Sequence, residues 1–330
     1  MFDFIHQNFE GTPVWGWAIF AAIFVGMLAA DLFFVNRHAH ETSRKEAVTW
    51  VCIWIALGVA FGIGVNFWKG TPTAIEYATA YVVEYSLSID NIFLFILIFN
   101  YFGIQPKYRH RVLFWGVLGA VIMRAIFIGA GVTLIARFHW ILYIFGAFLL
   151  YTGLKLIFSG ENEEDPRKSP IVKYAKKYLP FTDRVDSEAF FLVENGKRIF
   201  TPLFLVLLVV EFTDLVFAVD SIPACMAVTQ DPFILYTSNI FAIMGLRSLY
   251  FVLSGFLGGL RFLKPALAFI LLLIGAKIIL KEAQLYELPT LVSLGLIAGA
   301  LFLAVLLSLK FPSKELEELK ETKKPEDVIV

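Results

Sequence analysis

The sequence predicts an all-α, polytopic helical membrane protein of about nine transmembrane helices with an inverted 3+3 repeat. Three observations predict it. Long apolar stretches recur along the chain, basic residues gather in alternate connections, and two segments carry the same order of charged residues. Of 330 residues, 58% are hydrophobic and only 17% charged, with a mean hydropathy of +0.74. Soluble domains carry about a quarter charged residues. The formal net charge is zero, so no overall field points to a nucleic-acid partner.

A hydrocarbon core of about 30 Å takes about 20 apolar residues per helix. Nine stretches meet that length, at roughly 14–35, 47–67, 75–102, 110–136, 138–158, 200–227, 233–257, 263–281 and 287–310. The stretch Met1 to Gly16 has no basic region in front of its apolar run, so no cleaved signal peptide is expected. Lys and Arg gather after spans one, three, five and seven and in the tail. The other connections carry only Lys69, Arg137 and Lys281. The positive-inside rule then places the N-terminus outside and the C-terminus in the cytoplasm, in a cytoplasmic (inner) membrane.

This organisation gives a membrane part over 1–158, a cytoplasmic insertion over 159–199, a second membrane part over 200–310 and a tail over 311–330. Within the insertion, Lys173 to Tyr178 reads as a short amphipathic basic helix on the membrane surface. Asn195-Gly196 reads as a hairpin turn, and Glu161 to Asp165 as a solvated acidic turn. The two cysteines, Cys52 and Cys225, lie far apart in apolar segments and read as buried packing residues. No CxxC, HExxH or histidine cluster offers a soft-metal site.

Val82-Val83-Glu84-Tyr85 and Val209-Val210-Glu211-Phe212 begin two similar stretches. Each continues with an Asp and a small polar residue (Asp90-Asn91, Asp220-Ser221). Each has a lone arginine in its next span (Arg124, Arg247) and closes its third span on Gly-x-Lys (Lys155, Lys277). The repeats cover about 75–158 and 200–281. Three spans is an odd number, so the second copy enters from the opposite side, as in many secondary transporters whose sites lie at the midplane between repeats. Lys155 and Lys277 are expected to snorkel at helix ends.

An acid at the bilayer centre costs roughly 2.5–3.5 kcal/mol, so the five acids Glu84, Asp90, Glu211, Asp214 and Asp220 would together cost on the order of 12–18 kcal/mol if unbalanced. Glu84, Ser88 and Asn91 share one helical face, and Glu211 and Asp214 share another. Asp90 and Asp220 fall off those faces in an ideal helix, and Pro223 suggests a break near Asp220 that would offer carbonyls to a cation. Arg124 and Arg247 read as counter-charges. Two arginines leave three acids, which a divalent cation nearly balances and protonation would also balance. The available donors are oxygens, from the carboxylates with Ser88, Asn91 and Ser221, a set that suits Mg²⁺, Ca²⁺ or Mn²⁺. Asp31, near the inner end of span one, stands where it either snorkels to the interface or lines a vestibule.

The segments EYSLSIDNIFLF, FWGVLGAVIMR, ILYIFGAFLLYTGLK, EFTDLVFAVDSIPA and TSNIFAIMGLRSLYF closely resemble the TerC family of integral membrane proteins, in spacing best its Alx branch. The resemblance runs from about residue 15 to 310. It implies a non-enzymatic role in manganese export or homeostasis, in a family named for tellurium resistance. It also implies a metal site at Glu84, Asp90, Glu211, Asp214 and Asp220. Some relatives have an apolar residue where Asp214 stands. The resemblance further suggests a different role, a membrane partner that delivers metal to secreted or membrane client proteins near the protein-translocation machinery.

Overall fold

Apolar runs flanked by proline-marked starts fold into a helical bundle in the computed structural model, which describes residues 8–9, 11–30, 44–138, 140–158, 170–182, 189–194, 197–254 and 262–311. The membrane helices are α1 (Val14–Ala30), α2 (Arg44–Lys69), α3 (Thr71–Tyr101), α4 (Pro106–Arg137) and α5 (Ile141–Phe158). After the surface helix α6 (Pro170–Tyr178) come α7 (Pro202–Met226), α8 (Pro232–Met244), α9 (Leu246–Ser254), α10 (Leu263–Glu282) and α11 (Thr290–Lys310). Seven of these, among the described residues, are long and apolar enough to cross a membrane, and α1 is a shorter apolar helix. The chain is an all-α polytopic membrane protein.

Several long helices start at a proline, whose missing N–H costs nothing in the first turn. At the start of α8, Asp231 also accepts from the backbone N–H groups of Phe233 (2.9 Å) and Ile234 (3.4 Å). Behind α3 the chain turns at Gly103, whose φ of +64° lies in the left-handed region that glycine enters freely.

Two expectations about breaks are corrected here. α7 runs unbroken through Pro223, because that proline sits in its last turn and removes a single hydrogen bond close to where the helix ends anyway. The interruption falls instead in the seventh expected span, which forms two helices, α8 and α9, on either side of Gly245. Gly245 keeps right-handed angles (φ −77°, ψ −16°), and Leu249 N–H still bonds its carbonyl at 3.0 Å.

α3 is the central helix and packs against α2, α7, α8, α9, α10 and α11. Accordingly it carries buried residues on most of its surface, whereas α11 exposes Leu291, Phe302 and Leu303 as a lipid-facing helix should. Among the described helices, α5 and α10 form the most extensive pair. Its seam is made by small residues: a Cβ on Gly275 would stand 2.8 Å from the Gly146 carbonyl, and one on Gly153 would stand 3.1 Å from the Ala268 carbonyl. Gly146 meets Gly275 while Gly153 meets Ala268, so both pairs are seven residues apart on antiparallel helices.

In the insertion, Val172 and Ala175 of α6 are buried while Tyr174 and Tyr178 are exposed, which is the amphipathic pattern read from the sequence. Strands β1 (Phe191–Glu194) and β2 (Lys197–Phe200) pair antiparallel with Glu194 opposite Lys197. They flank Asn195 and Gly196, which lie outside the described residues, as do Glu161 to Asp165 and Asp31.

Candidate functional site

Arg124 on α4 organises the site. It is 1% exposed, and its guanidinium joins two helices from different parts of the chain. Nη1 forms an ion pair with Glu84 Oε1 on α3. Nη2 bonds Asp214 Oδ1 at 3.0 Å and Nε bonds Asp214 Oδ2 at 3.3 Å on α7. This two-toothed grip on Asp214 uses the rigid donor fork that lysine lacks. Nη1 also reaches Ser221 Oγ at 3.4 Å, and Ser88 donates to Glu84 Oε1 at 3.5 Å. Glu84, Ser88 and Ser221 are all buried, so the cluster is sealed from lipid.

The remaining acids sit apart from this pair. Glu211 on α7 is half-buried, and its carboxylate occupies the space left by the missing side chain of Gly119 on α4. Asp220, also half-buried, accepts from Thr152 Oγ1 on α5 at 3.2 Å and feels the charge of Lys155. Asp90 belongs to α3, but its side chain lies outside the described residues. Asn91 follows it, buried at 2% exposure. Arg247, on α9, is buried and lines a small cavity together with Asp214, Gly116 and Ala120. Among the described residues, no three His, Cys, Asp or Glu side chains converge on one point. Around Glu84 and Asp214 the reason is physical: the guanidinium fills the space between the two carboxylates.

Three partners escaped the sequence reading. Cys225 is buried as expected, but its thiol points at Glu84 Oε2 (3.6 Å) and the Ala80 carbonyl (3.8 Å) rather than only filling space. Cys52, expected to be buried, is exposed on α2. Thr152 and Gly119 matter only through residues of α7, about 68 and 92 positions away along the chain. The Gly-x-Lys pair also divides, since Lys155 is exposed but Lys277 is buried at 6% exposure, contrary to the expected snorkelling. Lys277 stands four positions before Lys281, which lies in the last turn of α10, and both α3 and α11 pack against that helix.

The family model of the integral membrane protein TerC family matches residues 69–316, a stretch that contains every residue of this cluster. The chain belongs to the TerC family. Similar TerC relatives include the "Uncharacterized membrane protein STKORF319" of Myxococcus xanthus, 46% identical over 89% of this chain and 91% of its own. The "Putative membrane-bound redox modulator Alx" is 43% identical in Salmonella typhi and 42% in Escherichia coli K12, each match covering 92% of this chain and 96% of the relative. No solved structure matches this TerC chain.

Proposed function

We propose that this TerC protein exports a divalent cation, with Mn²⁺ as the ion, from the cytoplasm through a midplane site built of carboxylates. The observation that carries the reading is the Glu84–Arg124–Asp214 bridge. It draws one acid from each of the two similar stretches of the chain to a single buried point. A scaffold needs one acid for one arginine, but here two acids share Arg124 while Glu211 and Asp220 stand apart on the same helix as Asp214, half-buried. Retained intramembrane acids mark ion paths, because packing gives no return for their insertion cost. Ser88, Asn91 and Ser221 add hard oxygen donors, and Asp90 with Asp220 is assigned to the two sides of the ion. In this reading the inner-membrane setting, the outside N-terminus and the inverted relation of the repeats supply alternating access. None of these groups is assigned a catalytic role.

A second reading, binding and delivery of metal without transport, draws support from α6. This helix docks on α7 through Val172 and Ala175 and leaves Tyr174 and Tyr178 outward for a partner. One experiment separates the two: Mn²⁺ flux into vesicles that contain only the purified protein, beside calorimetric Mn²⁺ titration. Export predicts flux that is abolished in Asp90→Asn and in Asp220→Asn. The double variant should lose little more affinity than either single one, because coupled ligands of one ion are not additive. Binding without flux supports delivery, and wild-type affinity in both single variants removes the shared site.

A further inference from the structure

An apolar groove of about 610 Å³ runs between α1 and α2, on the side of the bundle that α8 backs. Phe233 and Phe241 of α8 form its buried floor, and Phe61 of α2 packs on both at ring-centroid distances of 6.1 and 4.7 Å. Ala60 and Gly64 of α2 leave the floor open, since a Cβ on Gly64 would meet nothing within 4 Å. The walls include Ile19 of α1 with Leu57 and Phe67 of α2, all exposed, so the groove opens to the surroundings of the bundle. From Trp68 to Leu57 it follows α2 over eleven residues, about 16 Å at 1.5 Å per residue. That is about half of a hydrocarbon core of about 30 Å, the depth that one leaflet's acyl chain occupies.

The groove ends among groups suited to the membrane surface. Trp15 and Trp68 meet at 4.6 Å between ring centroids. Gly16 lets α1 come this near, because a Cβ there would stand 2.5 Å from the Trp68 ring. Tryptophan favours the depth of the headgroups. Lys69, next in the chain, holds its ammonium 5.4 Å from the Trp68 ring centre and 5.2 Å from that of Phe233, so it stands at the end of the groove. This ammonium pairs with Asp231 at 2.6 Å and donates to Thr12 Oγ1 at 2.8 Å, and the pair is partly exposed. Two of its three N–H groups are thereby used, and one remains among the described residues. Asp231 accepts from Lys69 through Oδ2 and from two backbone N–H groups through Oδ1, so Oδ2 keeps a lone pair. A donor cation and an acceptor anion thus stand side by side where the apolar groove ends.

We propose that this groove is a phospholipid site for phosphatidylethanolamine, with one acyl chain along α2 and the headgroup on Lys69 and Asp231. An apolar space at hydrocarbon depth holds no water, and leaving it empty would forfeit dispersion contacts along its walls, so an acyl chain fills it. The headgroup follows from charge. A phosphate oxygen takes the remaining Lys69 N–H, and the primary ammonium donates to Asp231 Oδ2. Phosphatidylglycerol brings no cation for Asp231, and the quaternary ammonium of phosphatidylcholine has no N–H to donate. The site is separate from the carboxylate cluster and does not depend on which ion that cluster takes.

The test is native mass spectrometry of the full-length protein, equilibrated in detergent with phosphatidylethanolamine, phosphatidylglycerol or phosphatidylcholine of the same acyl composition. One phosphatidylethanolamine per chain is expected to survive the collision energy that strips loosely held lipid. The other two lipids should be retained about tenfold more weakly, as the loss of one charge-assisted hydrogen bond implies. Gly64→Leu fills the open floor and should lose the lipid. Gly299→Leu on α11, where a Cβ also meets nothing within 4 Å, should keep it. Asp231→Asn keeps the helix cap but removes the charge, and should bring phosphatidylethanolamine down to the level of phosphatidylcholine. Equal retention of the three lipids by wild type, or a lipid that survives Gly64→Leu, overturns the site. A lipid-free dimer that Gly64→Leu turns into monomer puts a second copy of the chain in the groove and overturns it equally. Should Gly64→Leu fail to fold, an unchanged lipid preference in Asp231→Asn overturns the proposal instead.

Discussion

Arg124 shows how one side chain can tie together acids from distant parts of the chain. Its fork holds Glu84 and Asp214 in place, so a guanidinium rather than solvent sets their spacing. Replacing it with Gln leaves two carboxylates buried with no cation between them, and breaking a buried pair in this way costs about 3–5 kcal/mol. Arg124→Gln should therefore melt at a clearly lower temperature in detergent. The triple variant Arg124→Gln/Glu84→Gln/Asp214→Asn should recover most of that loss, because a neutral amide network leaves no charge unbalanced. A melting temperature for Arg124→Gln equal to wild type would show that the bridge contributes nothing to the fold.

At the scale of elements, the α5–α10 seam fixes how the two halves of the bundle meet. Gly275 has no room for a side chain, because its Cβ would meet the Gly146 carbonyl at 2.8 Å and the Leu150 N–H nitrogen at 3.0 Å. Both are backbone atoms and cannot rotate away, so Gly275→Val must separate the helices. Overpacking of this kind costs typically 1–3 kcal/mol. A Cβ on Gly295 of α11 would meet nothing within 4 Å and would face open space, so Gly295→Val serves as the neutral control. The comparison is a thermal melt of both variants. Equal melting temperatures would mean that α5 and α10 do not need this close approach. The interruption at Gly245 has a different role, since it lets α9 set Arg247 beside the cavity that Asp214 lines.

At the scale of the whole molecule, the alternation of basic connections predicts α6 and the 159–199 insertion in the cytoplasm and the turn at Gln230 outside. Single cysteines at Tyr174 and Gln230, both exposed, test this with a membrane-impermeant maleimide. Only Cys52 has to be replaced in the background, because Cys225 is buried. Labelling of Gln230→Cys in intact cells and of Tyr174→Cys only after lysis is the expected result. The reverse pattern would invert the protein in the membrane and turn the proposed export into import.

The sequence by itself determined the fold class and the approximate position of the long helices, and it named Glu84, Asp214, Arg124, Ser88 and Ser221 within a longer set of candidates. Hydropathy and the price of burying charge act on single residues and short windows, so both are readable along the chain. Helical spacing then decides which neighbours share a face, as with Glu84 and Ser88. Only the tertiary structure decided that Arg124 bridges both acids, that Glu211 fills the space beside Gly119, and that Thr152 reaches Asp220. It alone set Cys225 against Glu84 and left Lys277 buried. These contacts join residues 40 to 141 positions apart on helices whose relative rotation depends on packing, as with Glu84 and Arg124 or Glu84 and Cys225. A helix reveals its buried face through its own sequence, but which side chain meets it there depends on how its neighbours are turned.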